Sequence, residues 1–240
     1  MKWTEKRHYD VLETGICRNL HRVRLAYILD QIAAAKRQNL NPLRILDVGC
    51  GDGVITKRLR VRFPEAEIEG LDIDGVRLDR ARAYSQGVTF RQGDVNSLPY
   101  DECIFGIVIC HHVLEHVVDD TQVIKECHRV LVPGGLLILG IPHEGGIIGK
   151  ILRRMHPKLY AEGEHINFYT IAGMRKLILE QGFISVKYDK FGFLFPYYYV
   201  HLLLLWNSLT FKLGHLISQH IDVTADSLIF IARKRGVCDN

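Results

Sequence analysis

From residue 17 to residue 38 the apolar positions recur every three or four residues. Leu20, Val23 and Tyr27 form one line, and Leu25, Leu29 and Ile32 widen it, which predicts an amphipathic helix that Asn41-Pro42 ends. Downstream the period changes. RILDVGC (44–50), EIEGLDI (67–73), VTFRQGDV (88–95), FGIVICHHV (105–113) and LLILGIP (136–142) are short apolar runs, and segments of helical length lie between them near 54–62, 75–85 and 119–130. Pro133-Gly134-Gly135 predicts a turn into the fifth run. Strands that stay apolar on both faces and alternate with helices predict a parallel sheet covered on both sides.

The last third reads differently. Residues 143–169 are rich in Gly, His and charge and predict an excursion above the carboxyl ends of the strands. A helix over 170–181 ends at Gly182, and FISVKYDKF (183–191) and DSLIFIARK (226–234) predict two closing strands. Between those strands, Phe191 to Phe211 carries no formally charged residue. That run is long enough to span a bilayer, but a span would put the last strand on the far side from its own sheet. His201, Ser208, Lys212, His215 and Gln219 recur along it as a narrow polar stripe, which predicts a helix lying on an apolar face. Four destinations fit that face: the protein itself, an oily substrate under a lid, a partner, or a membrane surface. The three tyrosines 197–199 and Trp206 suit an interface with one wet end and equally suit an aromatic substrate pocket. The economical organisation is one domain over 1–240, with a helical cap (1–40), a core (43–190), an apolar lid insertion (191–225) and a final core strand (226–234).

Composition narrows the setting. A chain of 240 residues, 48% hydrophobic, is long enough for a sizeable core. The six cysteines (17, 50, 103, 110, 127 and 238) form no C-x-x-C pair, and the charged opening MKWTEKRHYD is no secretory signal, so a reducing, cytoplasmic setting is expected. Residues 1–64 hold 13 Lys or Arg against 6 Asp or Glu within a net charge of +4. This basic end reads first as a solvated surface, and without aromatic-interleaved basic blocks no nucleic-acid partner is expected.

The sharpest chemistry lies in LDVGCGDG, residues 46–53. Glycines 49, 51 and 53 after a strand and before a helix allow a tight turn and close approach of a ligand. Asp72 ends the second strand, where one carboxylate can accept both hydroxyls of a ribose diol. Asp94 follows the third strand and can accept from an exocyclic adenine amine while Val95 offers the ring an apolar surface. A dinucleotide site would want G-x-G-x-x-G and relief of pyrophosphate charge; instead Val54 stands after the loop, and Asp47 and Asp52 add negative charge. Those acids suit a ligand with a cationic amino-acid end.

On LDVGCGDG, EGLDID, GDVNSLPY, VICHHVLEHVVD and CHRVLVPGGLLILGIP, with EHINFYTIAGMRKLILEQGF further on, the chain resembles class I S-adenosylmethionine-dependent methyltransferases of the type that act on small molecules, quinones and lipids. The likeness covers about residues 43–182. It implies an α/β doubly wound, Rossmann-like seven-stranded sheet of order 3-2-1-4-5-7-6 with the last strand antiparallel, here with an N-terminal helix and an inserted apolar lid helix. It also implies S-adenosyl-L-methionine as cofactor: Gly49 and Gly51 approach its methionine part, Asp47 orients the amino-acid end, Asp72 takes the ribose and Asp94 the adenine amine. Cys50, Gly53, Ile73, Val95 and His111 complete the expected cofactor set. The connection of more than 30 residues between the closing strands exceeds what a minimal member needs.

Methyl transfer from a sulfonium requires alignment and, for a hydroxyl or amine acceptor, removal of a proton. Histidine, with an ordinary pKa of about 6.5, suits that duty, and His111, His143 and His165 are the candidates. His111 leaves the fourth strand where cofactor and acceptor should meet, and ordering the cofactor through its backbone is its other reading. No Asn-Pro-Pro-Tyr or Asp-Pro-Pro-Tyr tetrapeptide follows that strand, which argues against amide or base N-methylation. The expected activity is methylation of a small or lipophilic acceptor at oxygen or nitrogen, with a non-catalytic cofactor-binding partner subunit as the alternative. His112, Glu115 and His116 formally match an inverted zinc-peptidase pattern, a minor hydrolase alternative; no metal ligands are expected.

Overall fold

The computed structural model describes residues 17–37, 43–157, 165–193, 207–221 and 225–236. One mixed sheet holds β1 (Arg44–Val48), β2 (Glu67–Asp72), β3 (Thr89–Gln92), β4 (Phe105–His111), β5 (Leu131–Pro142), β6 (Phe183–Phe191) and β7 (Ser227–Lys234) in the order β3-β2-β1-β4-β5-β7-β6. β1 to β5 pair in parallel, and β7 runs antiparallel between β5 and β6. The expected topology is therefore the observed one.

Alternation along the central strands divides the core between two faces. Ile107 and Ile109 of β4, Leu136 and Ile138 of β5, and Ile229 and Ile231 of β7 pack on one side with α1 (Arg18–Lys36) and α2 (Val54–Arg62). Val108 and Cys110, Leu137 and Leu139, and Leu228 and Phe230 pack on the other with α4 (Asp120–Val130) and a helix of residues Ile171–Glu180. Period-two strands with apolar residues at both parities leave no face for water, which is why helices must cover both. α3 (Gly75–Tyr84) covers the β2–β3 end through Leu78 and Ala81. Beyond β5, α5 (Ile147–Met155) is followed by α6, the Ile171–Glu180 helix, and α7 (Ser208–His220) lies between β6 and β7.

Three local expectations change. Pro133-Gly134-Gly135 does not turn into the fifth strand but lies inside β5: Leu131 pairs with Phe105 and Leu136 with Ile107, so the intervening residues bulge, with Gly134 at φ +76°. The basic N-terminal helix is not simply a solvated surface. Ile28 and Ile32 of α1 are wholly buried, each worth about 1.5–3 kcal/mol, and they carry His21 and Arg24 into the interior with them.

The third change is the orientation of α7. Its protein-facing side is mixed: Phe211, Gly214 and Ser218 are buried, His215 stacks on the Phe191 and Phe211 rings, and Gln219 exchanges hydrogen bonds with Lys190, while Ser208 and Lys212 of the polar stripe are exposed. Leu209, Leu213 and Leu216 point outward, 75%, 61% and 59% exposed. Gln219 meets the backbone and side chain of Lys190 on the edge strand β6, so a polar residue of the stripe turns inward beside Phe211. His201, Leu205, Trp206 and the tyrosines lie outside the described residues. Among the described residues no helix is long and apolar enough to cross a membrane.

Candidate functional site

The glycine loop is strapped to the end of β2. Leu71 O accepts the N–H groups of Gly49 and Cys50 at 2.7 and 2.9 Å, and Asp72 Oδ2 accepts that of Gly51 at 2.8 Å. Asp72 Oδ1 takes the Asp74 N–H at 2.9 Å. Gly49, Gly51 and Gly53 sit at φ +70°, +54° and +77°, a region that side chains with a Cβ rarely adopt. A Cβ on Gly49 would lie 2.4 Å from Val113 Cγ2, so the loop after β1 and the histidine segment after β4 are in direct contact.

Asp47 is 2% exposed, and its Oδ2 has no hydrogen-bond partner. Burial and then the neighbouring Asp72 push its carboxyl up to about 8, so a cationic ligand is what this site lacks electrostatically. Asp52 is different: Arg77 and Arg80 of α3 approach its Oδ1 at 3.7 and 3.8 Å, so its charge is met within the protein. Asp94 is exposed and its Oδ1 holds Asn96 through backbone and side chain. That turn leaves Oδ2 for an amine donor. Ile73, just after β2, is 67% exposed, Val95 is partly buried, and burial raises the Cys50 thiol.

At the ends of β4 and β5 the histidines form a chain. His111, the last residue of β4, lies with its ring 4.5 Å from that of His112, and its enclosed Nε2 has no partner. Burial and then the adjoining His112 depress its pKa well below the ordinary value, so the imidazole is neutral. His112 is held at φ +57°, its N–H on Gly140 O. Arg24 Nη1 meets His112 Nε2 at 2.6 Å, and since arginine only donates, that nitrogen accepts and Nδ1–H donates to Glu115 Oε1 at 2.9 Å. Glu115 is fully buried, and its Oε2 has no partner.

His165 adjoins the far end of this chain, its ring 4.8 Å from that of His116 and its Nδ1 2.8 Å from Glu144 Oε2. Burial alone would lower the His165 pKa, but the Glu144 hydrogen bond and charge outweigh it and the net shift is upward. His143 is buried just past the end of β5, with its N–H on Asp226 O. Of the three expected catalytic histidines, the fold links His111 and His165 through His112, Glu115 and His116.

The inverted zinc-peptidase pattern does not form. Leu114–His116 is a single 3-10 turn, not a helix with two histidines on one face, and Arg24 occupies His112 Nε2.

The family model described as "Methyltransferase domain" matches residues 46–139, the strand, loop and acid segments just described. Over those residues the chain is similar to a methyltransferase domain. Its similarity to a demethylmenaquinone methyltransferase of Deinococcus radiodurans is 37% identity over 127 residues, 50% of this chain and 53% of that protein. To a ubiquinone biosynthesis O-methyltransferase of Rickettsia akari it is 30% over 132 residues, 53% and 51% of the two chains. The chain spans about half the length of these curated relatives. Among solved structures, a Haemonchus contortus phosphoethanolamine N-methyltransferase 2 in complex with S-adenosyl-L-methionine superposes with a TM-score of 0.61 at 17% identity, covering 96% of this chain and 60% of that one. At that identity the likeness shows the fold alone.

Sequence reasoning missed Arg24, Ser227 and Glu144. Arg24 bridges α1 to His112 and, at 3.2 Å, to Ser227 Oγ at the start of β7. Its signal was present: Arg24 lies four residues from both Leu20 and Ile28, a charge within the buried stripe of the helix, where an arginine is not left without partners.

Proposed function

We propose that this protein transfers the methyl group of S-adenosylmethionine to a small, lipophilic acceptor at oxygen or nitrogen. The observation that carries the reading is the buried, unpartnered Asp47 carboxylate next to a glycine loop tied to Asp72. This donor set fits the cofactor: Asp47 toward the cationic amino-acid end, Asp72 toward the ribose, Asp94 Oδ2 toward the adenine amine, with Ile73 and Val95 lining the ring. When bound, the cofactor supplies an activated methyl on a positively charged sulfur.

The chain's own contribution is placement and proton handling. Gly49 and Gly51 let the loop pass where a Cβ would collide with Val113 and with the Arg77 guanidinium, and Val113 packs between loop and histidine segment. His111, neutral and with an Nε2 that no protein group occupies, is suited to take a proton from an acceptor hydroxyl or amine that reaches it. Arg24 holds His112 in one tautomer, and His112 in turn abuts the His111 ring. Relatives acting in menaquinone and ubiquinone biosynthesis support a lipophilic acceptor, and the names of the relatives, all methyltransferases, do not favour the non-catalytic alternative.

The test is incubation of a cell extract with isotopically labelled cofactor and the purified protein, followed by mass spectrometry of the labelled products. Labelled small apolar molecules support the reading. Cofactor binding by calorimetry with no labelled product, across extracts and candidate partner proteins, overturns it in favour of a binding subunit.

A further inference from the structure

We propose that Glu115, His116 and His165 form a binding site for a divalent first-row transition-metal ion, which goes beyond the methyl-transfer reading. One donor atom from each of the three lies within 4.8 Å of the others. Two imidazoles and one carboxylate make a donor set of intermediate softness that suits Zn²⁺ and its neighbours.

Three features make this a built site. Glu115 is 0% exposed, and its Oε2 is buried with no hydrogen-bond partner, an oxygen whose desolvation no protein donor offsets. Its other oxygen, Oε1, is fixed by His112 Nδ1–H, which sets the carboxylate's orientation. His165 gives its Nδ1 to Glu144 at 2.8 Å, leaving the lone pair on Nε2; a carboxylate behind a metal-binding histidine is the usual device for fixing the ring and raising its basicity.

The charged surroundings are consistent with this. Burial holds the Glu115 carboxyl above its ordinary range, and the neighbouring His116 and His165 counter it only in part. Arg24 lies behind His112 and is already bonded to it and to Ser227. Metal–ligand bonds of about 2.1 Å put donor atoms about 3.0–3.4 Å apart, so binding draws the three atoms in by no more than about 1–2 Å. Three protein donors leave coordination positions for water or an oxygen ligand. The bound ion would pin the segment entering α6 to the turn after β4, which Ile166 and Asn167 already touch through Glu115 O at 2.8 and 3.3 Å.

The pattern differs from the one visible in the sequence. His112, the first histidine of H-x-x-E-H, is consumed by Arg24, and His165, 49 residues beyond His116, takes its place.

The experiment uses the full chain, treated with EDTA, its thiols alkylated, and then titrated with Zn²⁺ by calorimetry and with Co²⁺ by visible absorption. We expect one equivalent bound, with a Co²⁺ band of nitrogen and oxygen ligation. H116A and H165A should each weaken binding at least 10-fold, and E144Q about 10-fold through the orientation of His165. Because His116 is exposed, H116A tests the site without risk to the fold, and cofactor affinity measured separately on each variant reports integrity. No binding up to millimolar Zn²⁺, or binding unchanged in the H116A/H165A double variant, would overturn the site. Either result leaves the cofactor titration, and so the methyl-transfer reading, standing or falling by itself.

Discussion

The Gly51 amide and the Asp72 carboxylate, 21 residues apart in the chain, meet at 2.8 Å. The same acid therefore shapes the loop that the proposed function gives to the cofactor. Removing it in D72A leaves the Gly51 and Asp74 amides without their acceptor and takes away the proposed ribose contact. Calorimetry should show a 10- to 150-fold loss of cofactor affinity, about 1.5–3 kcal/mol. D72N keeps an acceptor oxygen for the loop and should lose less. Equal affinity in wild type and a folded D72A would sink the role given to this carboxylate.

Asp47 makes a prediction with a sign. Its pKa in the folded protein, about 8, lies above the ordinary 3.8. The unliganded fold is therefore most favoured below the ordinary value and loses stability as pH rises through about 8. D47N should remove that pH dependence and raise the melting temperature at pH 8, by about 2–4 °C for each kcal/mol relieved. It should also weaken cofactor binding, because the cationic end loses its counter-charge. Cofactor affinity of the wild type, relative to D47N at each pH from 6 to 9, should rise as Asp47 ionises; a constant ratio would remove Asp47 from the site.

For His111 the depressed pKa means the ring is already neutral at pH 6.5. If the acceptor needs a base, the acid limb of the kcat profile should fall below the ordinary histidine value. H111A should then lower kcat about 10²- to 10⁴-fold, with a smaller change in cofactor affinity. A loss of only a few-fold would assign catalysis to alignment alone.

The outward face of α7 gives a further prediction. Because Leu209 and Leu216 are mostly exposed, L209D/L216D should leave the fold and cofactor affinity intact. If this face contacts a membrane or an oily acceptor, vesicle partition or turnover of that acceptor should drop, since burying each side chain is worth up to about 1.5–3 kcal/mol. Vesicle partition and turnover both unchanged would leave the face an ordinary solvated surface.

The sequence by itself determined the alternation of strands and helices and the two-sided sheet, and its resemblance to a known family implied the strand order that is observed. The first two rest on short-range signals: two-sided apolar strands and helices of regular period between them. It also placed His111 at the end of the fourth strand, because a strand end is a local property. Tertiary structure alone decided what meets those residues. Arg24 reaches His112 across 88 residues and Ser227 across 203, and His165 joins Glu115 and His116 from beyond α5. The polar stripe of α7 could be read from spacing, but that His215 and Gln219 turn inward while Ser208 and Lys212 stay exposed depended on Phe191 and Lys190 of the edge strand. Periodicity reports that a face is distinct from its neighbours; only the packing of distant elements fixes which groups are buried together, and the cost of burying a charge or a polar atom without a partner then selects their pairings.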